Sequence, residues 1–361
     1  MIMKKIALIG AGNGAQTMAA DLASRGYEVN MYEQSAFIGK LGWLKESKTI
    51  RVTGVLNVTA KIAMLTDNLE EAIKDVTYIL VVTPSFAHET IAEQLKGIIR
   101  KDQVLVLYPG AFAALVFKKI LGDECPVIAE ANNLPYDTRL KGEGLAFCSG
   151  INPINMAFFP ADAKEKYYDD INDFIPIQYT YRDVLECGLS LVNPALHSGA
   201  CVINIGMIEQ PSRGGFHMYE HFTAGAAKLD VALDRERKEI GKALGYDLRP
   251  IEDFAGKPAG HQINWKELYM QMHGDVALTA ISGPNDIWNR YLTEDCPNGL
   301  VPWVALAELC GVATPTMRAI ITIYSHIHER DWWQVGRKLD RLGLDGMTKE
   351  QVLEFVKTGK K

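Results

Sequence analysis

The stretch "KKIALIGAGNGAQTMAADLASRGYEVNMYEQ", residues 4–34, constrains the fold more than any other part of the chain. An apolar strand runs into a glycine-rich turn, a helix follows, and a second strand ends on an acidic residue. Gly10, Gly12 and Ala15 stand at the G-x-G-x-x-A positions. The first permits the tight turn, the second lets a pyrophosphate approach the backbone, and the small third lets the helix lie close to the strand. Gly14 adds freedom to the same loop. Asn13 belongs to the helix start, whose unpaired amides and positive dipole end suit phosphate. Glu33, at the end of the second strand, is placed to accept hydrogen bonds from the adenosine ribose, and no Arg follows it in "EQSA" to receive a 2′-phosphate. The unit predicts an α/β Rossmann dinucleotide-binding domain that takes NAD(H) in preference to NADP(H).

Two further strand-to-helix units, "TYILVVTPSFAHETIAEQL" and "DQVLVLYPGAFAALVFKKIL", continue the parallel sheet. Their loops, Thr83-Pro84-Ser85 and Tyr108-Pro109-Gly110, fall at the carboxyl edge where open α/β sheets bind ligands, so Thr83 and Pro84 join the cofactor-binding set. His88, in the helix after the first loop, could face the cleft or pack, and packing is the preferred reading. "CPVIAEANNLPYDTRL" and "INPINMAFFPADAKE" supply extra strands that complete a domain over residues 1–183. From Val184 the pattern turns helical, over 184–209, 216–245, 263–281, 301–310, 314–329 and 331–342, with a last helix entered through Thr348 and a capping box closed by Gln351. Residues 184–361 are therefore expected to form an all-α second domain that supplies catalytic groups, with substrate held between the two. A chain of 361 residues is long enough for two cores.

The charge balance narrows the partners. A net charge of −6 with dispersed Lys and Arg gives no basic field for nucleic acid. "MIMKKIALI" is too short an apolar run for a signal peptide, and no stretch is long enough to span a bilayer. Six cysteines without a CxxC pair point to reduced thiols in the cytoplasm, where the Asn57-Val58-Thr59 sequon has no meaning.

Among polar clusters in the second half, "NPALHSGACVINIG" places His197 one turn into a helix started by Asn193 and Pro194. Cys201, Asn204 and Ile208 share its face. A buried, hydrogen-bonded core histidine is the plain reading of this segment alone. "HMYEH", residues 217–221, fits the H-x-x-E-H pattern of inverted zincins, with His217 and His221 one turn apart and Glu220 between them. A metalloprotease needs no dinucleotide cradle and a zinc site needs a further ligand, so a polar helix start is preferred and no metal is expected. His326 and His328, two apart, point to different faces and suit solvated or capping roles. Arg290 and Asp295, in "SGPNDIWNRYLTEDCPNGLVPW", flank the end of a helical segment before a Pro/Gly turn.

Taken together, the segment around His197, "RYLTED" at 290–295, "DRER" at 234–237 and "AEANNLPYDTR" resemble the octopine and nopaline dehydrogenase family, the opine dehydrogenases, over residues 4 to 345. The resemblance implies NADH-dependent, reversible reductive condensation of an amino acid with a 2-oxo acid such as pyruvate, giving an N-carboxyalkyl amino acid. It also implies that His197 pairs with Asp295. A histidine suits the protonation of a carbonyl oxygen near neutral pH, and a carboxylate on its other nitrogen fixes the tautomer. Arg290, in the matching stretch, would hold a substrate carboxylate bidentately. Asn204 is the weaker substrate or nicotinamide-amide contact. Nothing in the sequence selects the amine donor, and a homodimer stays open.

Two other readings compete. Glycerol-3-phosphate dehydrogenases and ketopantoate reductases join a Rossmann domain to a helical one, yet they resemble families with a lysine where this chain has "NPALH". An NAD(H)-binding sensor has no need for His197, Asp295 and Arg290 to converge. Their separation in space discriminates between the readings.

Overall fold

A computed structural model describes residues 4–210, 215–251, 264–273 and 283–361 of the chain. They divide into two units, Met1–Cys187 with Glu354–Lys361, and Gly188–Leu353.

The first unit is built on an eight-stranded sheet of order β12-β11-β8-β7-β6-β1-β2-β5. Its strands are β1 (Lys5–Ile9), β2 (Glu28–Tyr32), β5 (Met64–Thr66), β6 (Tyr78–Val81), β7 (Val104–Leu107), β8 (Val127–Ala131), β11 (Ile154–Phe159) and β12 (Ile177–Thr180). The central strands are near-continuous apolar runs, as expected of strands covered on both faces. Parallel pairing sets Ile9 opposite both Tyr32 and Val81, and Val81 opposite Leu107. The loops after β1, β2, β6 and β7 therefore leave the sheet at one level. The chain runs from β1 to β2 on one side and later returns to β6 on the other, which makes the β1/β6 boundary a topological switch point. β11 runs antiparallel to β8 and parallel to β12, so the late strands extend the sheet as expected. A second sheet, β4-β3-β10-β9, is made of β3 (Thr49–Gly54), β4 (Val58–Lys61), β9 (Tyr136–Gly142) and β10 (Leu145–Ile151). Helices α1 (Asn13–Ser24), α2 (His88–Leu95) and α3 (Ala113–Leu121) complete the part of the unit that bears on the nucleotide.

Regular structure in the second unit is helical among the described residues: α4 (Asn193–Ile203), α5 (Ala224–Leu244), α6 (Arg290–Thr293), α7 (Val301–Cys310), α8 (Pro315–Ile327) and the start of α9 (Lys349–Thr358). The continuous helix expected over 184–209 is broken into Val184–Leu189, α4 and Ile205–Ile208. Side chains take its early carbonyls: Trp303 Nε1 donates to Gly188 O at 3.0 Å and the Arg237 guanidinium to Leu189 O at 2.6 Å. Those oxygens cap a helix end instead of continuing one. Asn193 does not cap α4 either, since Val192 holds the cap position without a side-chain bond and Pro194 occupies the first turn. α5 starts at Ala224, not 216, because Thr223 Oγ1 accepts from Ala226 N at 3.1 Å and fixes the cap there. Of the helix expected over 263–281, Trp265–Met272 is described and helical, while 274–281 lies outside the described residues. The expected helix 331–342 shrinks to Trp332–Val335: Gly336 is extended, in a space where a Cβ would sit 2.6 Å from Val301 Cγ1.

The second domain does not run to residue 361. Residues 354–361 return to the first unit, where the buried Phe355 ring meets Phe159 edge-on at a centroid distance of 5.3 Å. The amphipathic last helix finds its apolar partner there. Its start matches the expected capping box, with Thr348 N donating to Gln351 Oε1 at 2.8 Å and Gln351 N to Thr348 Oγ1 at 3.3 Å.

Candidate active site

In the first unit the glycine loop has the shape of a nucleotide cradle. Gly10 has φ +111°, and a Cβ there would lie 2.6 Å from Val82 O, so the turn after β1 closes against the loop after β6. Gly12 caps α1 without a side-chain bond, and nothing lies within 4 Å of where its Cβ would be. The first-turn amides of α1 are thus left to an outside acceptor. Ala15 is fully buried against the sheet. Glu33 Oε2 accepts from Ala11 N and Oε1 from Gln34 N, both at 2.8 Å, which ties the carboxylate to the glycine loop. A carboxylate has about four lone-pair sites, so ribose hydroxyls can still be accepted. Thr83 Oγ1 is buried with no hydrogen-bond partner among the described residues, beside the same turn. Pro84 follows it at the carboxyl edge of β6. These features fit a dinucleotide.

Two sequence readings are revised here. Gly14 is needed for packing and not for loop freedom, since a Cβ would lie 2.7 Å from Leu134 Cδ2. The Asn13 side chain holds β9, with Oδ1 accepting from Leu140 N at 2.8 Å, so its contribution to a phosphate site reduces to the backbone. His88 is fully buried, its ring 6.1 Å from that of Phe117. Glu130 was not anticipated: buried on β8, it accepts from Phe112 N at 2.7 Å and Ala114 N at 2.8 Å and so anchors the start of α3.

In the second unit His197 and Asp295 meet. His197 Nδ1 and Asp295 Oδ2 are 2.7 Å apart, with side-chain exposures of 6% and 12%. Asp295 directly precedes a π-helix, Cys296–Leu300. A Cβ on Gly299 would fall 2.3 Å from Pro194 Cγ, so the π-helix lies against the first turn of α4 and sets the spacing of the pair. The Tyr291 ring stacks on His197 at a centroid distance of 3.9 Å with 2° between planes. Sequence reasoning missed Tyr291 although it lies inside "RYLTED", because nothing in the spacing tells a packing aromatic from one laid on an imidazole. The Arg290 guanidinium lies 5.8 Å from the centre of the same ring and 3.8 Å from Glu294 Oε2, with its side chain 56% exposed. Arg290, Tyr291, His197 and Asp295 therefore form one contiguous group.

The side chains around the pair are buried. Asp230 on α5 is fully buried, with its Oδ1 2.1 Å from where a Gly199 Cβ would be. Burial pushes its carboxyl well above the usual range and favours the neutral acid. The thiols of Cys201 and Cys296 are likewise pushed up by burial, which makes them poor nucleophiles. Tyr324 on α8 donates from its hydroxyl to Ser198 O at 2.9 Å and holds the centre of α4.

Asn204 follows the last residue of α4, and its amide donates to Ala200 O at 2.9 Å and His221 O at 3.4 Å. Both of its donors are engaged by backbone carbonyls. The "HMYEH" segment is a turn and not a helix start: His221 Nδ1 accepts from His217 N at 2.9 Å, and His217 Nδ1 is 3.7 Å from Glu220 Oε2. Among the described residues no group of three His, Cys, Asp or Glu side chains could hold a metal. His328 is buried and takes the capping role of the two expected for it: it caps the end of α8, with Nε2 2.7 Å from Ile287 O and Nδ1 2.8 Å from Tyr324 O. "DRER" is architectural. Asp234 and Arg237 form a buried ion pair at 2.7 Å, and Glu236 accepts from Thr316 N at 2.7 Å and Met317 N at 2.9 Å at the start of α8.

Residues 180–328 match the model of the NAD/NADP octopine/nopaline dehydrogenase alpha-helical domain. The helical half of the chain thus carries the octopine/nopaline dehydrogenase domain. Residues 5–114 match the NAD-dependent glycerol-3-phosphate dehydrogenase N-terminus, so the likeness to that group lies in the nucleotide-binding half. An opine dehydrogenase of Arthrobacter sp. (strain 1C) is 29% identical over 356 residues, 96% of each chain. Vitopine synthase of Allorhizobium ampelinum is 28% identical over 98% of this chain and 99% of its own. Octopine dehydrogenase, solved with NADH and L-arginine, superposes with a TM-score of 0.75 at 21% identity over 99% of each chain. The two matched regions place a nucleotide-binding half before an α-helical one, which is the architecture described above.

Proposed function

We propose that the protein catalyses the NADH-dependent, reversible condensation of an amino acid with a 2-oxo acid to an N-carboxyalkyl amino acid, acting on the CH–NH group in the reverse direction. The observation that carries this is the His197–Asp295 pair at 2.7 Å in a helical unit of the octopine/nopaline dehydrogenase type. With Nδ1–H donated to Asp295, the lone pair of neutral His197 lies on Nε2. There it takes a proton from the amino-acid nitrogen as that nitrogen adds to the 2-oxo carbon. It returns that proton to the former carbonyl oxygen to give the carbinolamine, and a second such relay, of the remaining N–H proton to the hydroxyl, releases water and yields the imine. Asp295 stabilises the imidazolium between these two steps. Arg290 holds a substrate carboxylate, a task its half-exposed guanidinium suits. NADH, when bound, supplies the hydride that reduces the imine. Gly10, Gly12 and the α1 amides hold the pyrophosphate, Glu33 the adenosine ribose, and Thr83 offers its buried hydroxyl to the cofactor.

The six cysteines are free in the structure, which supports a place in the cytoplasm, and the proposed reaction would belong to amino acid metabolism. No helix among the described residues is long and apolar enough to cross a membrane. A matrix of amino acids against 2-oxo acids, followed by NADH absorbance, tests the reading. Oxidation that depends on one pairing of the two substrates supports it. No oxidation with any pair rejects it.

A further inference from the structure

We propose that Tyr291 is a positioning residue that sets the direction of His197 Nε2. The inference rests on the acid–base role given to His197 above, and its test includes a readout that does not need that role. The Nδ1 contact to Asp295 fixes one atom of the imidazole but leaves the ring free to swing about the axis of that bond. A second constraint is needed to aim Nε2. The structure supplies it on the ring face: the phenol lies parallel to the imidazole, 2° from its plane at 3.9 Å between centroids. Swinging the imidazole out of this plane loses the face contact along its whole area.

The phenol is itself held. Asn289 caps the short helix α6, its Oδ1 accepting from Tyr291 N at 3.2 Å, and Leu292 beside it is fully buried. The segment that carries Asp295 therefore also carries the plate that orients Asp295's partner. Arg290, at the other neighbouring position, is 5.8 Å from the same ring. One six-residue run thus fixes the acid–base group on an edge and on a face and supplies the carboxylate-binding cation. The orienting is assigned to the ring face, which phenylalanine keeps.

Two variants separate this from a plain packing role. Tyr291→Phe keeps the face. Tyr291→Met fills similar volume without a planar ring. In the holoenzyme with its best substrate pair, Tyr291→Met is expected to lower kcat roughly tenfold, with the KM for NADH within twofold of the parent. Tyr291→Phe is expected to stay within about twofold in both. Independently of any activity, the Nδ1–H proton that His197 donates to Asp295 should give a downfield NMR signal in the parent and in Tyr291→Phe. That signal should broaden or disappear in Tyr291→Met as the ring gains freedom. An unchanged signal and kcat in Tyr291→Met, or a Tyr291→Phe variant as impaired as Tyr291→Met, would overturn the proposal. A signal that behaves as expected in a protein with no condensing activity would retain the orienting role and reject only the reaction.

Discussion

A carboxylate 2.7 Å from one imidazole nitrogen decides which nitrogen is left for chemistry. Removing either partner should therefore act on turnover and not on nucleotide binding. His197→Ala and Asp295→Asn are each expected to lower kcat about a hundredfold or more, the size of a general acid–base contribution, while NADH affinity by fluorescence titration stays within a few-fold. Turnover unchanged in either variant would exclude the pair from the mechanism. At the other end of the dinucleotide, Glu33 is already bound to two backbone amides of the loop region, so its charge is fixed in place. A 2′-phosphate brought against it meets repulsion and displaces ribose hydrogen bonds, together on the order of 1–3 kcal/mol. NADH should bind about tenfold or more tighter than NADPH, and Glu33→Ser should narrow the gap; equal affinities in the parent would assign the choice to another loop. Much of this was legible in the residues, because G-x-G-x-x-A and a following Glu carry their chemistry in their spacing. Tyr291 and Glu130 were not, since a stacked face and a buried carboxylate anchoring a helix start depend on which distant elements meet.

Helix packing around α4 holds the pair together, and two contacts on that helix make separate predictions. Gly299 gives the π-helix its approach to Pro194, and a methyl there would sit 2.3 Å from Pro194 Cγ. Gly299→Ala is expected to cost about 1–3 kcal/mol in denaturant titration and to lower kcat by moving Asp295 off His197. Full stability with full activity would show that the approach is looser than described. On the other side, the carboxyl of Asp230 lies against Gly199 with its pKa raised by burial. The native state thus binds a proton that the unfolded chain releases near pH 4, so this group's stabilisation is complete below that pH and is lost as pH rises through the native pKa. Asp230→Asn keeps the shape without the titration. Its melting temperature relative to the parent should rise between pH 5 and pH 8, and a difference independent of pH would contradict a raised pKa. Helix existence could be read from periodicity across this unit, whereas the breaks at Leu189 and Asn204 could not. Side chains far along the chain, Arg237 and Trp303, take the carbonyls at the first break, and such competition leaves no trace in local pattern.

Across the whole chain, a nucleotide-binding unit is followed by a helical one, and the sequence changes texture near Val184 while the units part at Gly188. The return of Glu354–Lys361 to the first unit was not readable, because an amphipathic last helix does not name the surface that covers it. Apolar burial against Phe159 does so in the structure. The group of Arg290, Tyr291, His197 and Asp295 has the parts a simple 2-hydroxy-acid dehydrogenase would need: an acid, a carboxylate to orient it and a cation for substrate. What separates the two chemistries is whether a second substrate enters before reduction. A protonated imine accepts hydride more readily than a ketone, so condensation should dominate near neutral pH. Mass spectrometry of the product made from NADH, a 2-oxo acid and an amino acid tests this most directly. An N-carboxyalkyl amino acid, formed only when both substrates are present, is the predicted result; a 2-hydroxy acid or a primary amino acid alone would contradict it.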